Sequence, residues 1–284
     1  MTFSQIYLNG KERLAKAGIE SPAFEAMCLL EAVFGLNRQS LAVRGEETAP
    51  NGEIVVFNDM IQQRCTKRPL QYILGKWPFM DLTLEVGEGV LIPREDTEVL
   101  VRTADECLRG KSQPQVLDLC AGTGAVGLAF AAMRRSVTVT CVEFHNEAFD
   151  FLQRNIAANG GESSVTAVRA DVLQPPDPEV FTQVDAILSN PPYIISAEID
   201  TLQEEVQREP REALDGGEDG LRFYRAIAEH WVTLLKPGGL LAVEVGEGQA
   251  RDVAELFRQA GLCNLRFAQD FNGIDRVVFG TASH

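Results

Sequence analysis

The sequence has few groups that could hold a metal ion or form disulfides. Its 284 residues include six cysteines and three histidines. No two cysteines form a C-x-x-C pair, and His145, His230 and His284 are far apart in the chain. Several cysteines lie in apolar stretches, which is typical of reduced, buried thiols. We therefore expect no disulfide framework, no zinc site and no other bound metal.

Positive charge is also scarce. The formal net charge is −15, and no basic run is longer than Arg134-Arg135. A surface with this balance repels phosphate backbones unless its basic residues are gathered into one patch. The composition therefore weighs against DNA or RNA as a substrate, and we expect no direct binding of nucleic acid.

Long apolar runs are absent as well. A helix that spans a bilayer needs about 20 consecutive apolar residues, and no stretch approaches that length. The N-terminus shows no signal-peptide pattern, and we expect a cytoplasmic protein with no membrane association. The length allows one large domain or two smaller ones, and the apolar share of 45% supports a full core.

The stretch Ser189–Tyr193, which reads S-N-P-P-Y, is the most informative in the chain. It follows Val184–Leu188, a short apolar run typical of a buried strand. Two prolines end that strand and hold Asn190 at its carboxyl end, where α/β sheets bind ligands. The Asn190 side-chain oxygen and a turn carbonyl are neutral acceptors that suit a planar NH2 group, and Tyr193 offers a flat face. Such a site would free the nitrogen lone pair for attack; a turn that merely ends a strand is the alternative.

A glycine-rich loop between a strand and a helix indicates a cofactor site. Within Val116–Gly127, three glycines (Gly122, Gly124 and Gly127) match the dinucleotide pattern G-x-G-x-x-G. Glycines there let the backbone approach a ligand closely. Asp118 argues against NAD, because a carboxylate beside the loop repels a pyrophosphate. The same carboxylate favours a cofactor that carries an ammonium and a sulfonium.

Two acids end the following strands. Glu143 comes after Val137–Val142, where an acid can accept hydrogen bonds from both ribose hydroxyls. This supports an adenosine group, which NAD and S-adenosylmethionine share. Asp171 comes after Val165–Ala170, where an acid commonly accepts from the adenine amino group while the next side chain, Val172, packs on the ring. A solvated acid at Glu143 and a turn cap at Asp171 are the alternatives.

Strands and helices alternate from residue 115 to 261, which predicts a mostly parallel sheet with helices on both faces. The two last strands, Leu265–Ala268 and Val277–Phe279, are joined by a connector too short for a helical crossover, so one of them must be antiparallel. The pattern places Lys236–Gly239 at the stop of a helix and the fifth strand at Leu240–Val245. The long polar stretch 194–220 predicts a lid or a substrate-facing segment.

The N-terminal part has a different organisation. Residues 1–68 predict a small helical domain, in which a helix starts at Ser21-Pro22 with an N-cap hydroxyl and ends at Gly35. Residues 69–92 predict a β-hairpin that links this domain to the remainder, 93–284. We expect the helical domain to recognise a macromolecular substrate.

Nearly the whole chain resembles the bacterial release factor glutamine methyltransferases, the HemK-type family. The resemblance rests on the helical N-terminal domain and on motifs at Leu91–Glu98, Asp118–Gly127, Asn190–Tyr193 and Glu209–Gly217. Two departures are visible. Glu95 stands where the family usually has proline, and Cys120-Ala121 replaces the more usual Gly-Thr or Gly-Ser.

The resemblance implies an α/β fold: the seven-stranded, mostly parallel, doubly wound (Rossmann-like) sheet of S-adenosylmethionine-dependent methyltransferases. It also implies the reaction, methyl transfer from S-adenosylmethionine to the side-chain amide nitrogen of a glutamine. That glutamine lies in the Gly-Gly-Gln motif of class I peptide-chain release factors, and the products are N5-methylglutamine and S-adenosylhomocysteine. Release factors are then the partners, and we expect the enzyme to be a monomer.

The resemblance further implies residue roles. Asn190 and the Pro191 carbonyl would hold the amide hydrogens, Tyr193 would stack on the amide plane, and Pro192 would complete the substrate site. Asn190, Pro191 and Tyr193 are thus the expected catalytic residues. The expected cofactor-binding residues are Cys120, Ala121, Gly122, Thr123, Gly124, Glu143, Asp171, Val172 and Asn190.

Other functions stay open at this point. An adenine amino-methyltransferase of DNA or RNA is permitted by Asn190–Tyr193 but disfavoured by the acidic balance, and methylation of a ribosomal-protein glutamine is a close variant. An NAD-dependent oxidoreductase is disfavoured by Asp118. A non-catalytic binding module is disfavoured because both motifs are intact.

Overall fold

The computed structural model describes residues 1–134 and 136–283, without the side chain of Glu162. Contacts divide the chain into two compact units. The first contains Met1–Lys76 and the short segment Gln203–Arg208. The second contains Trp77–Leu202 and the described residues from Glu209 onward. Across the described ranges, no helix combines the length and the apolar character needed to cross a membrane.

The first unit is helical. Its α-helices are α1 (Phe3–Lys16), α2 (Pro22–Phe34), α3 (Arg38–Arg44), α4 (Asn51–Cys65) and α5 (Leu70–Leu74). Leu14, Leu30 and Ile61 are fully buried between α1, α2 and α4. The buried Arg64 pairs with Glu25 and with Glu205, each at 2.5 Å, so the second ion pair ties the segment Gln203–Arg208 to the helices.

The predicted limits of α2 are confirmed, since the helix begins at Pro22 and ends before Gly35, which has a φ of +64°. Ser21 is the N-cap residue, as predicted, but its hydroxyl makes no capping hydrogen bond. The helical unit also continues beyond residue 68. It includes α5, which buries Leu70 and Tyr72 and contacts α2 and α4.

The hairpin is shorter than the predicted 69–92. It consists of β1 (Lys76–Phe79) and β2 (Leu82–Glu85). The buried Asn155 fixes β2, because its Oδ1 accepts from the Glu85 amide at 2.6 Å and its Nδ2 donates to the Glu85 carbonyl at 3.1 Å. Strand β2 therefore packs as part of the second unit and does not form a separate linker.

The second unit is a sheet covered by helices. Its strands are β3 (Gln115–Leu119), β4 (Thr138–Glu143), β5 (Val165–Arg169), β6 (Val184–Ser189), β7 (Leu235–Glu244), β8 (Leu262–Gln269) and β9 (Asp275–Ala282). Its α-helices are α6 (Glu98–Cys107), α7 (Ala125–Met133), α8 (Asn146–Ala158), α9 (Arg222–Ala226) and α10 (Ala250–Gln259).

The strand order confirms the predicted fold. In the described residues the sheet has seven strands in the order β5-β4-β3-β6-β7-β9-β8. Strands β3 to β7 pair in parallel, and β9 is antiparallel to both β7 and β8. Side chains alternate between the two faces, so Val116 joins one apolar core and Leu117 the other.

Three strands differ from their predicted limits by more than one residue. Strand β7 begins at Leu235 and includes Pro237-Gly238-Gly239, which the sequence analysis assigned to the stop of a helix. The pairing of β6 with β7 shifts register between Val184 and Ala186, and this irregularity accommodates the glycines and the proline. Strands β8 and β9 extend beyond their apolar centres because backbone pairing continues through polar residues.

Candidate active site

A cavity of about 530 Å³ lies in the second unit, at the carboxyl ends of β3, β4 and β6. Parallel α/β sheets bind ligands at this edge, where the loops diverge. The cavity brings together most of the site residues predicted from the sequence. These are Cys120, Ala121, Gly122, Thr123, Glu143, Asp171, Val172, Asn190 and Pro192.

The glycine-rich loop is held by Asp118. Its Oδ2 accepts a hydrogen bond from the Gly127 amide at 2.8 Å, which joins the end of β3 to the start of α7. A Cβ on Gly127 would lie 2.5 Å from Cys141 Sγ and 3.0 Å from Asp118 Oδ2. Gly127 is therefore required for the close contact between helix and sheet.

The loop contains a left-handed residue that is not glycine. Cys120 has a φ of +58°, a conformation that costs a side-chain-bearing residue about 1–2 kcal/mol. Its thiol stays protonated, because burial raises the Cys120 pKa well above its usual value. Cys120 is one of the two departures noted in the sequence analysis, and its left-handed backbone is a conformation that glycine adopts without strain.

The second oxygen of Asp118 is free to bind a cation. Asp118 lines the cavity and is 1% exposed, and its Oδ1 is buried with no hydrogen-bond partner. Burial raises the pKa of Asp118 to about 7. An unsatisfied buried acceptor is costly, and an ammonium group would satisfy it and favour the charged carboxylate. This arrangement fits the amino group of the methionine part of S-adenosylmethionine.

Glu143 accepts three hydrogen bonds from backbone amides that the sequence analysis did not predict. Its Oε2 accepts from the Gly122 amide at 2.9 Å, and its Oε1 accepts from the Phe144 and His145 amides at 2.8 and 2.9 Å. A carboxylate has about four acceptor positions, so capacity remains for a ribose hydroxyl. The Glu143 side chain thus helps to fix the conformation of the glycine-rich loop at Gly122.

Asp171 fits both of the readings left open by the sequence. Its Oδ1 accepts from the Leu173 amide at 2.9 Å, as in a turn cap. It also lines the cavity together with Val172. The turn therefore fixes the carboxylate at the cavity wall.

Asn190 is anchored through its nitrogen. Its Nδ2 donates to Thr97 Oγ1 at 3.0 Å, and both residues line the cavity. The preceding Ser189 is fully buried and donates to the Leu119 carbonyl at 2.7 Å, which fixes the end of β6 against β3. With Nδ2 engaged, Oδ1 is the polar atom of Asn190 that is left to accept from a ligand.

Three predicted site residues do not belong to the cavity wall, namely Gly124, Pro191 and Tyr193. Gly124 lies behind the wall against Leu152, and Pro191 is buried in the turn.

Tyr193 is half-buried and packs beside Gly246, where burial raises its pKa further above the usual value. Its carbonyl accepts from Gln249 Nε2 at 2.9 Å. In this structure Tyr193 therefore supports the turn from outside the cavity.

Part of the long polar stretch forms one wall of the cavity. Glu209 is 5% exposed; it accepts from the Ile92 amide at 3.0 Å and pairs with Arg94. Burial raises the pKa of this carboxyl group despite the nearby Arg94. The residues that follow it on the wall are Pro210, Arg211, Glu212, Ala213 and Asp215.

The sequence analysis missed several wall residues. Thr97 was named only as part of the motif Leu91–Glu98, and Phe144, His145 and Phe223 were given no role in the site, yet all four line the cavity. Phe144 and His145 directly follow Glu143, so their position next to a strand-ending acid was a usable signal. Thr97 offered no such signal, because its contact with Asn190 spans 93 residues.

In the part of the chain that the structure describes, no group of three or more His, Cys, Asp or Glu side chains is arranged to hold a metal ion.

The fold and the cavity define an S-adenosylmethionine-dependent methyltransferase. A family model described as "Methyltransferase small domain" matches residues 95–220, and one described as "PrmC N-terminal domain" matches residues 5–75. A methyltransferase from Pyrococcus furiosus has the same fold, with a TM-score of 0.52 and 18% identity over 72% of this chain and 91% of that one. A T. thermophilus 16S rRNA methyltransferase in complex with AdoMet and guanosine gives a TM-score of 0.51 and 20% identity, over 73% of this chain and 49% of that one.

Relatives of higher identity identify the family. The release factor glutamine methyltransferase of Geobacter sulfurreducens is 41% identical over 94% of this chain and 92% of its own length. The one from Caulobacter vibrioides is 35% identical over 99% of this chain and 96% of its own length. The chain belongs to the release factor glutamine methyltransferase family, which confirms the resemblance found in the sequence.

Proposed function

We propose that this enzyme methylates the glutamine of the Gly-Gly-Gln motif in class I peptide-chain release factors. The methyl donor is S-adenosylmethionine, and the product is N5-methylglutamine. The observation that carries the proposal is the orientation of Asn190. Its nitrogen is engaged by Thr97, so its oxygen is left to accept a hydrogen bond in the cavity.

A carboxamide NH2 group fits this acceptor. Its nitrogen lone pair is delocalised into the carbonyl, so an amide nitrogen is a poor nucleophile. A hydrogen bond from one N–H group to Asn190 Oδ1 would favour a pyramidal nitrogen and localise the lone pair. The Pro191 carbonyl would accept from the other N–H group after a rearrangement of the turn, because Pro191 is buried outside the cavity wall in this structure. Both acceptors are neutral, so neither would draw a cationic lysine side chain into the site in place of an amide.

The residues around the glycine-rich loop hold the donor. Bound S-adenosylmethionine supplies an electrophilic methyl group on a sulfonium sulfur. Asp118 would accept from its amino group, Glu143 from its ribose hydroxyls, and Asp171 from its adenine amino group. These residues and Asn190 line one cavity, so orientation of the two reactants would supply much of the rate enhancement, for which intramolecular reactions allow about 7–11 kcal/mol.

The substrate assignment is tested with radiolabelled S-adenosylmethionine. Purified enzyme is incubated in parallel with a release factor, the same factor with its motif glutamine changed to alanine, ribosomal proteins, and DNA or RNA. Label only in the unmodified factor is the expected result. Label in nucleic acid or ribosomal protein, with none in the release factor, would replace this proposal with one of the alternatives.

The role of Asn190 is tested by Asn190→Ala. We expect turnover to fall by about 100-fold, the size of loss seen when one preorganised hydrogen-bonding group is removed from an active site. Calorimetric binding of S-adenosylhomocysteine should change little. Asn272→Ala, at an exposed turn of the same unit, is the control and should behave as wild type. Unchanged turnover in Asn190→Ala would refute the role.

The helical unit is proposed to recognise the release factor. It exposes apolar side chains, among them Phe24 at 59% and Val43 at 86%, and such side chains are commonly buried in protein interfaces. The double change Phe24→Ser and Val43→Ser should raise KM for the release factor and leave kcat unchanged. Phe271→Ser is the matched control, because Phe271 is 89% exposed in the second unit. Equal KM values for both variants would argue against the assignment.

The remaining partner assignments follow from this function. We propose that the enzyme acts as a monomer on release factors in the cytoplasm, where translation ends, and that it binds no nucleic acid directly. The net charge of −15 supports the last point. Sedimentation equilibrium and a binding titration with duplex DNA and tRNA test the first and last of these statements.

A further inference from the structure

Gln249 occupies the capping position before α10 but does not cap that helix. Serine, threonine, aspartate or asparagine usually fills such a position and accepts from the first backbone amides of the helix. The Gln249 side chain makes no capping hydrogen bond. Its Oε1 instead accepts from the Gly246 amide at 3.0 Å, and its Nε2 donates to the Tyr193 carbonyl at 2.9 Å. The side chain therefore joins the loop between β7 and α10 to the turn that carries Asn190.

The orientation of the Gln249 amide group is set by its two partners. A backbone N–H can only donate and a carbonyl oxygen can only accept, so Oε1 must face Gly246 and Nε2 must face Tyr193. Both contacts need one acceptor and one donor at the end of a side chain of this length. An ionised acid of the same shape would keep the first contact and would place two oxygens against each other at the second.

Glycines close the space around the Tyr193 backbone. A Cβ on Gly216 would lie 2.7 Å from Tyr193 Cα, and one on Gly220 would lie 2.5 Å from the Tyr193 carbonyl oxygen. Both distances are too short for a real side chain, so only glycine allows the chain to pass this closely. The Tyr193 backbone is therefore tightly packed in addition to its hydrogen bond from Gln249.

The residue after Tyr193 ties the same turn to the cavity wall. The Ile194 amide donates to the Leu214 carbonyl at 2.9 Å, and the Ile194 carbonyl accepts from the Gly216 amide at 2.8 Å. Ile194 thereby pairs with Asp215, which lines the cavity. A displacement of the Tyr193 backbone would therefore move part of the wall as well as the turn.

We propose that Gln249 is a positioning residue for methyl transfer, which holds the turn Asn190–Tyr193 so that Asn190 Oδ1 meets the substrate amide at the correct distance. Ser189 holds the start of the turn against β3, and Gln249 holds its end. A rearrangement at Pro191 on substrate binding would then be confined between two fixed ends. The proposal rests on the function proposed above and goes beyond it, because Gln249 lies outside the cavity wall and acts only through the Tyr193 carbonyl.

Gln249→Glu provides the first test. Ionised glutamate keeps an oxygen for the Gly246 amide but cannot donate to the Tyr193 carbonyl. With the release factor as substrate and S-adenosylmethionine saturating, kcat should fall by about tenfold to 100-fold, since misplacement by about 1 Å can cost about 100-fold in rate. KM for the release factor and binding of S-adenosylhomocysteine should each stay within about threefold, which is typical of an interaction that acts in the transition state.

Gln249→Met provides the second test and introduces no charge. Methionine has a similar length but makes neither hydrogen bond, so its kcat should lie between those of the wild type and Gln249→Glu. Gln259→Met is the matched control, because Gln259 is exposed at the end of the same helix and donates only to Glu255. It should keep the wild-type kcat.

Two results would overturn the proposal. One is a wild-type kcat in either folded Gln249 variant. The other is an equal loss of kcat and of S-adenosylhomocysteine affinity, which would show that Gln249 supports the whole site and not the turn. A wild-type enzyme that transfers no methyl group to the release factor would instead refute the proposed function.

Discussion

Glu209 and Ile92 are 117 residues apart in sequence and are joined by a hydrogen bond of 3.0 Å from the Ile92 amide to the Glu209 carboxylate. The same carboxylate pairs with Arg94. The contact fastens the wall that begins at Pro210 to the motif that precedes α6. One buried carboxylate, that of Glu209, thus holds together two motifs that are far apart in the sequence, Leu91–Glu98 and Glu209–Gly217.

The first prediction concerns the contacts of Glu209 with Ile92 and Arg94. Glu209→Ala leaves the buried Ile92 amide without an acceptor, which costs about 1–3 kcal/mol of unfolding free energy. We expect that loss in urea denaturation, together with faster tryptic cleavage at Arg208 or Arg211. Asp200→Ala, at a largely exposed ion pair with Arg211, should cost less than about 0.5 kcal/mol. Equal stabilities of the two variants would contradict the anchoring role.

The second prediction concerns the pH dependence of donor binding. Free Asp118 has a pKa of about 7 because it is buried, and an ammonium ligand favours its ionised form. Below pH 7 most Asp118 carboxyl groups are protonated in the free enzyme, and each must lose its proton before it can pair with the ligand ammonium. The apparent affinity should therefore weaken by up to about tenfold per pH unit.

Calorimetry with S-adenosylhomocysteine from pH 5.5 to 8 measures this effect, and binding near pH 7 should release protons. Asp118→Asn keeps an acceptor for the Gly127 amide but does not titrate at this carboxyl group. It should bind more weakly at pH 8 and show a much flatter pH profile. A wild-type profile in Asp118→Asn would exclude Asp118 as the titrating group.

The third prediction concerns the left-handed residue of the cofactor loop. Cys120→Gly removes a φ strain of about 1–2 kcal/mol. The change also removes the packing of the thiol and increases the conformational entropy of the unfolded chain, and both effects destabilise the folded state. We expect a net change in unfolding free energy of less than about 1 kcal/mol.

The matched comparison is Cys120→Val. A β-branched side chain fits poorly at a φ of +58°, so this variant should lose about 1–3 kcal/mol and bind the cofactor more weakly. Thermal unfolding with and without S-adenosylhomocysteine separates the two effects. A Val variant as stable as the Gly variant would show that the backbone of the loop is not strained.

The fourth prediction concerns the contact between α7 and the sheet. Gly127→Ala places a Cβ 2.5 Å from Cys141 Sγ, and overpacking of this kind costs about 1–3 kcal/mol. Adding Cys141→Ala should recover part of the loss, since it removes the clashing sulfur. Gly52→Ala in α4 meets nothing within 4 Å and should instead stabilise by about 0.5–1 kcal/mol. A Gly127→Ala protein with wild-type stability would show that the helix can move away from the sheet.

Local patterns were sufficient for much of the fold. Strand β6 was predicted from Val184–Leu188, and the two prolines after it defined its end because they cannot continue the ladder. The reversal of β9 was predicted from a short connector. The limits of β7 and of the hairpin were wrong, because pairing with a neighbouring strand and packing by Asn155 are not visible in a local window.

The sequence by itself determined the fold class, the family and the position of the cavity, since apolar periodicity, glycine spacing and strand-ending residues act over a few positions of the chain. Only the tertiary structure decided which atoms of those residues face a ligand. Asn190 meets Thr97, and Glu209 meets Ile92, across about a hundred residues. Hydrogen bonds over such separations depend on the order of the strands in the folded sheet, so they define the chemistry of the site only after the chain has folded.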